Sequence, residues 1–392
     1  MLNVLFYTPW WPNNASMTGI FIKEHAIAIA KHCNLFVMHV HVEKSWRKPF
    51  FFIEKKETKE LNYYLFEYTL YIPPVPKSHL FFKSKMKNLL QREVHILNEK
   101  YHFGIVHVNV MSEQAQWVCQ TEQVSSLPHV LTEHNGFLLR DQNRLDQNHF
   151  DSFKNKYANW IEKANIQCIM PVSSYLEQVL KKEYEIKNNI KTIPNVINVS
   201  QRDISNRVSS QNKIRLCLLA NWEYPKCPEL FVKALKQIPK EWLAHIQITW
   251  AGFGSQYNKL QTDDIWNHVE VNFVGKLEKN EVYDMLNNQD ILIHPTYSET
   301  FSVVVVEALT FGLAVLSTPT GIMPEYVNSS NGVLVQDFTI DSFIKGLEKI
   351  LSNFKNGMYI RNVISDQVKD VFSTNTVGLQ IFDVYTNVLE NR

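Results

Sequence analysis

Residues 290–318 read DILIHPTYSETFSVVVVEALTFGLAVLST, and the parse of this stretch decides the fold. An apolar run, Ile291 to Pro295, feeds a loop carrying Glu299, and Glu307 follows with seven residues between the two carboxylates. Val303 to Val306 are β-branched and favour strand, so a buried hairpin is one reading of the segment. Glu307-Ala308-Leu309 continues with helix formers, Gly312 offers a stop and Ala314 to Leu316 opens another apolar run. Strand, helix, strand is the better parse. A helix starting near Ser302 presents free backbone N–H groups as a partly positive anion site. Glu299 then lies on the loop just before it and Glu307 two turns along, roughly 12 Å apart at the helical rise. That span suits a nucleotide sugar, with the sugar at one carboxylate, the diphosphate at the helix N-terminus and ribose hydroxyls at the other carboxylate.

Working outward, 392 residues with a hydrophobic fraction of 45% suit two domains. A net charge of +1, from 40 basic and 39 acidic residues, gives no global argument for nucleic acid, so any attraction to a membrane must be local. Five cysteines stand singly with no C-x-x-C, which reads as reduced intracellular thiols. The N-terminus lacks the pattern of a signal peptide, and no apolar run approaches the ~20 residues of a membrane span. A soluble cytoplasmic protein is expected.

The chain opens as a βαβ unit: strand Leu2 to Thr8, helix Ile20 to Lys31, strand Leu35 to Val42, with Gly19 where loop meets helix. Residues 43–100 break the rhythm, mixing aromatics with both charges. Lys77 to Arg92 carries five basic residues and no acidic one, with Leu80, Lys83, Lys87 and Leu90 mixed along one side. This stretch reads either as a docking surface for anionic lipid or a lipid-linked acceptor, or as a solvated basic helix. Strands at Gly104 to Val110 and Pro128 to Glu133 follow, the second opening into a loop with His134, at the end of a sheet where ligands collect. Ile166 to Ser173 and Lys191 to Val196 complete the half, and the polar, Ser/Asn-rich stretch after Asn198 reads as a linker. The alternation restarts at Ile214. Lys226 lies beside a proline-fenced helix start, where a lysine can neutralise a phosphate, and Gly252-Phe253-Gly254 ends the next strand.

The loop and helix of 290–318 resemble the E-x7-E signature of retaining glycosyltransferases with the GT-B fold, in particular glycosyltransferase family 4. MTGIFIKEHAIAIAKH, TEHNG, KTIPNV, the AGFG turn, VEVNFVGKL and SSNGVLV resemble further segments of that family, so that the likeness covers nearly the whole chain and is weakest over 43–100. The resemblance implies two Rossmann-like, doubly wound α/β domains facing a cleft. Residues 1–198 would form the acceptor-side domain, 199–212 a linker and 213–375 the nucleotide-sugar domain, with 376–392 a helix packing back on the first. It implies that Glu299 holds donor-sugar hydroxyls, with His134 completing the sugar site, and that Glu307 holds the ribose. Backbone at Phe301, Ser302 and Val303 would face the distal phosphate beside Lys226. Gly19 would admit a ligand phosphate, Gly254 of the GxG turn would belong to the donor-binding residues, and the loop at Leu277 would read the nucleobase. Asn221 stands where the family usually carries an arginine, Cys227 where it has a glycine after the lysine, and Ser302 where it often has glycine.

The implied partners are a nucleotide-sugar donor and a saccharide or lipid-linked saccharide acceptor, as in surface polysaccharide assembly, with peripheral membrane contact through 43–100 and no nucleic acid. No cofactor is expected, and no metal either, since the sequence lacks D-x-D, H-E-x-x-H and zinc-spaced Cys/His. A nucleotide-sugar 2-epimerase would not carry E-x7-E, and a Rossmann dehydrogenase would need G-x-G-x-x-G after the first strand. A catalytically weakened nucleotide-sugar-binding module of the same fold remains as the alternative, favoured by Asn221.

Overall fold

A computed structural model describes residues 1–12, 18–46, 52–75, 78–139, 147–198 and 213–391. The linker read at 199–212 lies outside the described residues, as do 13–17 of the loop ahead of Gly19. The chain divides into two compact units, Met1–Val196 with Ser373–Arg392, and Ile197–Phe372.

The first unit is built on β1 (Asn3–Thr8), β2 (Asn34–Lys44), β3 (Ile53–Lys59), β4 (Tyr63–Ile72), β5 (Ile105–Asn109), β6 (His129–Glu133), β7 (Ile166–Pro171) and β8 (Asn189–Ile190). They form one sheet in the order β3-β4-β2-β1-β5-β6-β7-β8. All pairings are parallel except β3 with β4. The central strands β5 and β6 are buried along their whole length, as parallel strands covered by helices on both faces must be. The region 43–100 does not lack regular structure. It makes the antiparallel edge pair β3–β4 and the long helix Ser78–Tyr101. The sequence hides the strand because β3 is IEKKETK, a charged and exposed edge with no apolar alternation, a composition that also blunts an edge against pairing with other chains. On the long helix the buried stripe is Met86, Leu89, Leu90, Val94 and Leu97, a cleaner amphipathic face than the register through Lys83 and Lys87 suggested.

The last helix, Thr374–Glu390, belongs to the first unit and puts Val377, Ile381 and Tyr385 into its core. Gly378 lets it lie close on the first helix, Ile20–Ile29, since an added Cβ would stand 2.6 Å from the carbonyl oxygen of Ala28.

The second unit holds β9 (Ile214–Asn221), β10 (Ile246–Phe253), β11 (Glu270–Gly275), β12 (Ile291–His294), β13 (Ala314–Ser317) and β14 (Gly332–Leu334). Their order, β11-β10-β9-β12-β13-β14, is third-second-first-fourth-fifth-sixth, all parallel: the doubly wound Rossmann order. Trp222, Trp250, Phe231 and Phe343 are fully buried in its core. The 290–318 stretch is strand, helix Val303–Thr310, strand. Burial of Val305 and Val306 outweighs their weak helix propensity, and Gly312 turns the chain out of the helix at φ 75°. Among the described residues no helix is long and apolar enough to cross a membrane.

Candidate active site

In an open parallel sheet, ligands bind beyond the carboxyl ends of the strands where the strand order reverses. In the second unit that place lies between β9 and β12, which pair through Ile291 with Leu216 and Leu292 with Cys217. The loops leaving these two strands are stitched together. Lys226 bridges Thr296 in antiparallel fashion, the Cys227 N–H donates to the Pro295 carbonyl at 3.2 Å, and the Tyr297 N–H donates to the Pro225 carbonyl at 2.9 Å. This stitching carries the Lys226 ammonium into an ion pair with the Glu299 carboxylate, each side chain 17% exposed. Burial pushes Lys226 down to about 7, with the neighbouring Cys227 acting weakly in the other direction.

His294, the last residue of β12, is buried behind the pair, its Nε2 lying 3.5 Å from Glu299 Oε1 and 2.9 Å from Ser302 Oγ. Burial, and then the charge of Lys226, hold its imidazole well below the usual histidine range, so it is neutral. Ser302 caps the Val303–Thr310 helix in the left-handed region, at φ 87° and ψ 81°. A third loop, after β13, supports the arrangement. The Glu299 N–H donates to Thr320 Oγ1 at 3.3 Å, and the Thr296 N–H donates to Thr318 Oγ1 at 3.1 Å. Gly321, at φ 60°, lies so near that an added Cβ would stand 2.9 Å from Glu299 Cβ.

The other residues singled out in this unit occupy the same rim. Glu307 is half-buried in the second turn of the helix that Val303 begins. The Phe301 side chain is buried against Phe372, with ring centroids 5.8 Å apart, so what Phe301 offers a ligand is backbone. Gly254, at φ 126°, precedes the helix Ser255–Leu260 and packs on the Trp222 carbonyl, where Glu223 Oε2 accepts from Ser255 Oγ at 2.7 Å. Asn221 is exposed at the end of β9, and Leu277 is half-buried just after β11. Lys226, Glu299 and Ser302 are thus brought together with His294, while Asn221, Gly254 and Leu277 lie at the ends of the neighbouring strands.

Gly19 and His134 belong to the first unit. Gly19 precedes the first helix at φ 83°, with no room for a Cβ beside the Trp10 carbonyl. His134 follows β6, its ring 4.8 Å from that of Phe21 and 5.4 Å from that of His25, whose Nε2 is 3.1 Å from the Pro194 carbonyl. Burial, then His25 and His107, hold His134 well below the usual range. Its backbone is fixed by the fully buried Glu133, a residue to which the sequence assigned no role. Glu133 Oε1 accepts from the N–H groups of His134 at 2.9 Å and Asn135 at 2.8 Å. Its Oε2 accepts from the Met111 N–H at 3.0 Å and the Tyr157 hydroxyl at 2.9 Å. A glutamate closing an apolar strand, PHVLTE, was the available signal. For His294 the sequence carried none beyond its place at a strand end.

Among the described residues, no three His, Cys, Asp or Glu side chains are grouped to hold a metal ion. The model for Glycosyltransferase Family 4 matches residues 38–201, and that for Glycosyl transferases group 1 matches residues 200–363. The phosphatidylinositol N-acetylglucosaminyltransferase GPI3 subunit of Saccharomyces cerevisiae is 22% identical over 73% of this chain and 60% of its own length. An uncharacterized glycosyltransferase of Methanocaldococcus jannaschii, MJ1069, is 23% identical over 61% of this chain and 64% of its own. The chain therefore spans less than two thirds of the length of these curated relatives. Among solved structures, sucrose-phosphate synthase from Thermosynechococcus elongatus superposes over 100% of both chains with a TM-score of 0.72 at 15% identity. Anabaena HepE in complex with UDP and glucose covers 99% of this chain and 100% of its own with a TM-score of 0.67 at 13% identity.

Proposed function

The chain is a GT4-like glycosyltransferase of the GT-B type, and from that premise we propose that it moves a sugar from a nucleotide diphosphate to a hydroxyl of a saccharide or lipid-linked saccharide, with retention at the anomeric carbon. The observation that carries the reading is the Lys226–Glu299 pair at the point of strand reversal, one loop ahead of the Val303–Thr310 helix. A desolvated cation and the first free N–H groups of that helix suit a diphosphate that gains charge as the sugar leaves. Glu299 suits sugar hydroxyls and Glu307 suits the ribose. His134, as a neutral imidazole, suits a hydrogen bond to the sugar from the acceptor-side unit, with Gly19 admitting the diphosphate.

The course is front-face. The bond from the anomeric carbon to the phosphate oxygen breaks, the acceptor oxygen bonds to that carbon on the same face, and the acceptor's proton passes to the leaving phosphate oxygen. Such a step asks the protein for charge stabilisation and positioning rather than for a general base. The nucleotide sugar is a co-substrate, and neither a cofactor nor a metal is part of this reading. A lipid-linked acceptor is supported by the likeness to the yeast relative, a subunit named as a phosphatidylinositol N-acetylglucosaminyltransferase.

A donor screen tests the proposal. UDP-, GDP-, ADP- and dTDP-sugars are incubated with the protein and with a Glu299→Ala, Glu307→Ala double variant, and nucleoside diphosphate release is followed. One donor turned over slowly by the wild type and not by the variant is the expected result. No turnover, together with thermal stabilisation by no nucleotide in the panel, would sink it and leave a non-catalytic module, the reading that Asn221 in the arginine position favours.

A further inference from the structure

The first unit contains a second site that the donor chemistry does not use. A cavity of ≈ 180 Å³ opens between the carboxyl ends of β2 and β4 and the helices Ser78–Tyr101 and Glu113–Cys119. Val42, Leu70, Ile72, Phe82, Met86 and Trp117 line it. Val42 and Leu70 are direct cross-strand partners, so the two present the same face. Lys83, Glu113 and Gln114 complete one side of the lining, and the volume, about that of an engineered cavity known to hold benzene, has room for a hydrocarbon segment against the apolar wall.

The mouth tells which hydrocarbon. Val42 is 38% exposed at the mouth, between the exposed His41 and Glu43, and past the ends of β4 and β2 the chain exposes Val75 (39%) and Trp46 (65%). Beside the rim stands the basic part of the long helix. Lys83 lies at the cavity wall in an ion pair of 2.5 Å with Glu113, and its Nζ is 6.0 Å from the centre of the Trp117 ring. Lys87 lies one turn on from Lys83 on the same side of the helix, and no acidic residue occurs on this helix before Glu93. Apolar depth under a cationic mouth is complementary to an amphiphile with one aliphatic chain and a phosphate. The loop carrying His134 leaves the same edge of the same sheet, three strands along at ~4.8 Å each, about 14 Å away. That leaves room for a phosphorylated sugar between chain and loop.

We propose that this cavity binds the first segment of the aliphatic chain of a phosphate-bearing lipid acceptor, with Lys83 and its neighbours at the phosphate. The inference rests on the reading of the chain as a transferase to a lipid-linked acceptor, and it turns that reading into a place. The probe is dodecyl phosphate below its critical micelle concentration, titrated calorimetrically into the full chain, beside butyl phosphate, the Val42→Trp variant and, as a control outside the lining, Leu61→Thr at a position 96% exposed. One dodecyl phosphate per chain is expected, with binding at least tenfold weaker for butyl phosphate and for Val42→Trp, and unchanged for Leu61→Thr. Equal affinity for the two phosphates would mean charge attraction at the basic helix alone and would overturn the proposal, as would undiminished binding by Val42→Trp.

Should Val42→Trp not fold, judged by its melting curve, the wild type decides. A dodecyl phosphate bearing a diazirine at mid-chain should label peptides containing Val42, Met86 or Trp117, and labelling elsewhere overturns the assignment. Neither arm contains a nucleotide sugar, so failure here leaves the donor reading standing, and failure of donor turnover leaves chain binding to be read for itself.

Discussion

Two glutamates at the ends of parallel strands, Glu133 closing β6 and Glu299 in the loop after β12, are treated in opposite ways. Glu133 is wholly buried and accepts four hydrogen bonds from neutral donors, three of them backbone N–H groups. Glu299 keeps some exposure, meets one lysine and one histidine, and its backbone N–H donates to Thr320 Oγ1. A carboxylate whose lone pairs are filled by fixed donors has nothing left for a ligand and serves as scaffold. A carboxylate paired with a desolvated cation at a loop rim can exchange that partner for hydroxyls while the cation takes a phosphate. Glu133 therefore fixes the backbone of its neighbour His134, whereas on the proposed reading Glu299 is the carboxylate left to meet a ligand.

The strongest way to break this contrast is to delete both carboxylates and compare stability. Glu133→Ala strands three buried N–H groups and a buried hydroxyl, and should cost about 3–5 kcal/mol by urea unfolding. Replacing the other pair together, Lys226→Met with Glu299→Gln, removes two desolvated charges at once and should change stability by about 1 kcal/mol or less. Equal losses would mean that Glu299 is scaffold too.

Acid sharpens the same contrast. Burial lowers the folded-state pKa of four histidines in the first unit, His25 (to about 4), His39, His107 and His134, and of one in the second, His294. A histidine held neutral binds its proton only on unfolding, so its contribution is intact above the unfolded value near 6.5 and is lost as pH falls below it. Each such group costs up to about 1.4 kcal/mol per pH unit below that value. Hydrogen exchange measured at pH 7.0, 6.0 and 5.5 should therefore show amides of the first unit losing protection before those of the second. The reverse order would mean that these imidazoles are not held neutral.

The legible parts of the chain were those with apolar periodicity or a distinctive spacing. The 290–318 stretch announced strand, helix, strand through Glu307-Ala308-Leu309 and Gly312, although its valines argued otherwise. The β3 strand was not legible, because an edge strand covered in lysine and glutamate has no buried face to record. Lys226, Glu299 and Ser302 could be read from pattern, yet their meeting depends on the antiparallel stitch between Lys226 and Thr296, a tertiary contact with no local signature. Gly321 illustrates the same limit. Its glycine is required by the Glu299 side chain 22 positions away, and only the folded chain shows that distance closed.

Ser302 tests how far the second region is shaped for its site rather than for stability. A non-glycine residue in the left-handed region costs about 1–2 kcal/mol, and Ser302 bears that cost while its hydroxyl meets His294 at 2.9 Å. Ser302→Ala keeps the strain and loses the hydroxyl contact, so it should lose about 1 kcal/mol. Ser302→Gly loses the same contact and adds freedom to the unfolded chain, but it removes the strain, so it should fall within about 0.5 kcal/mol of the wild type. The expected order in thermal melts is Ser and Gly together, Ala below. The useful datum is donor turnover by the glycine variant. If the hydroxyl holds His294 and through it Glu299, Ser302→Gly should melt like the wild type yet show a raised KM for the donor. A glycine variant indistinguishable in both respects would mean that the strain serves nothing at the site, and that Ser302 is simply tolerated where glycine would do.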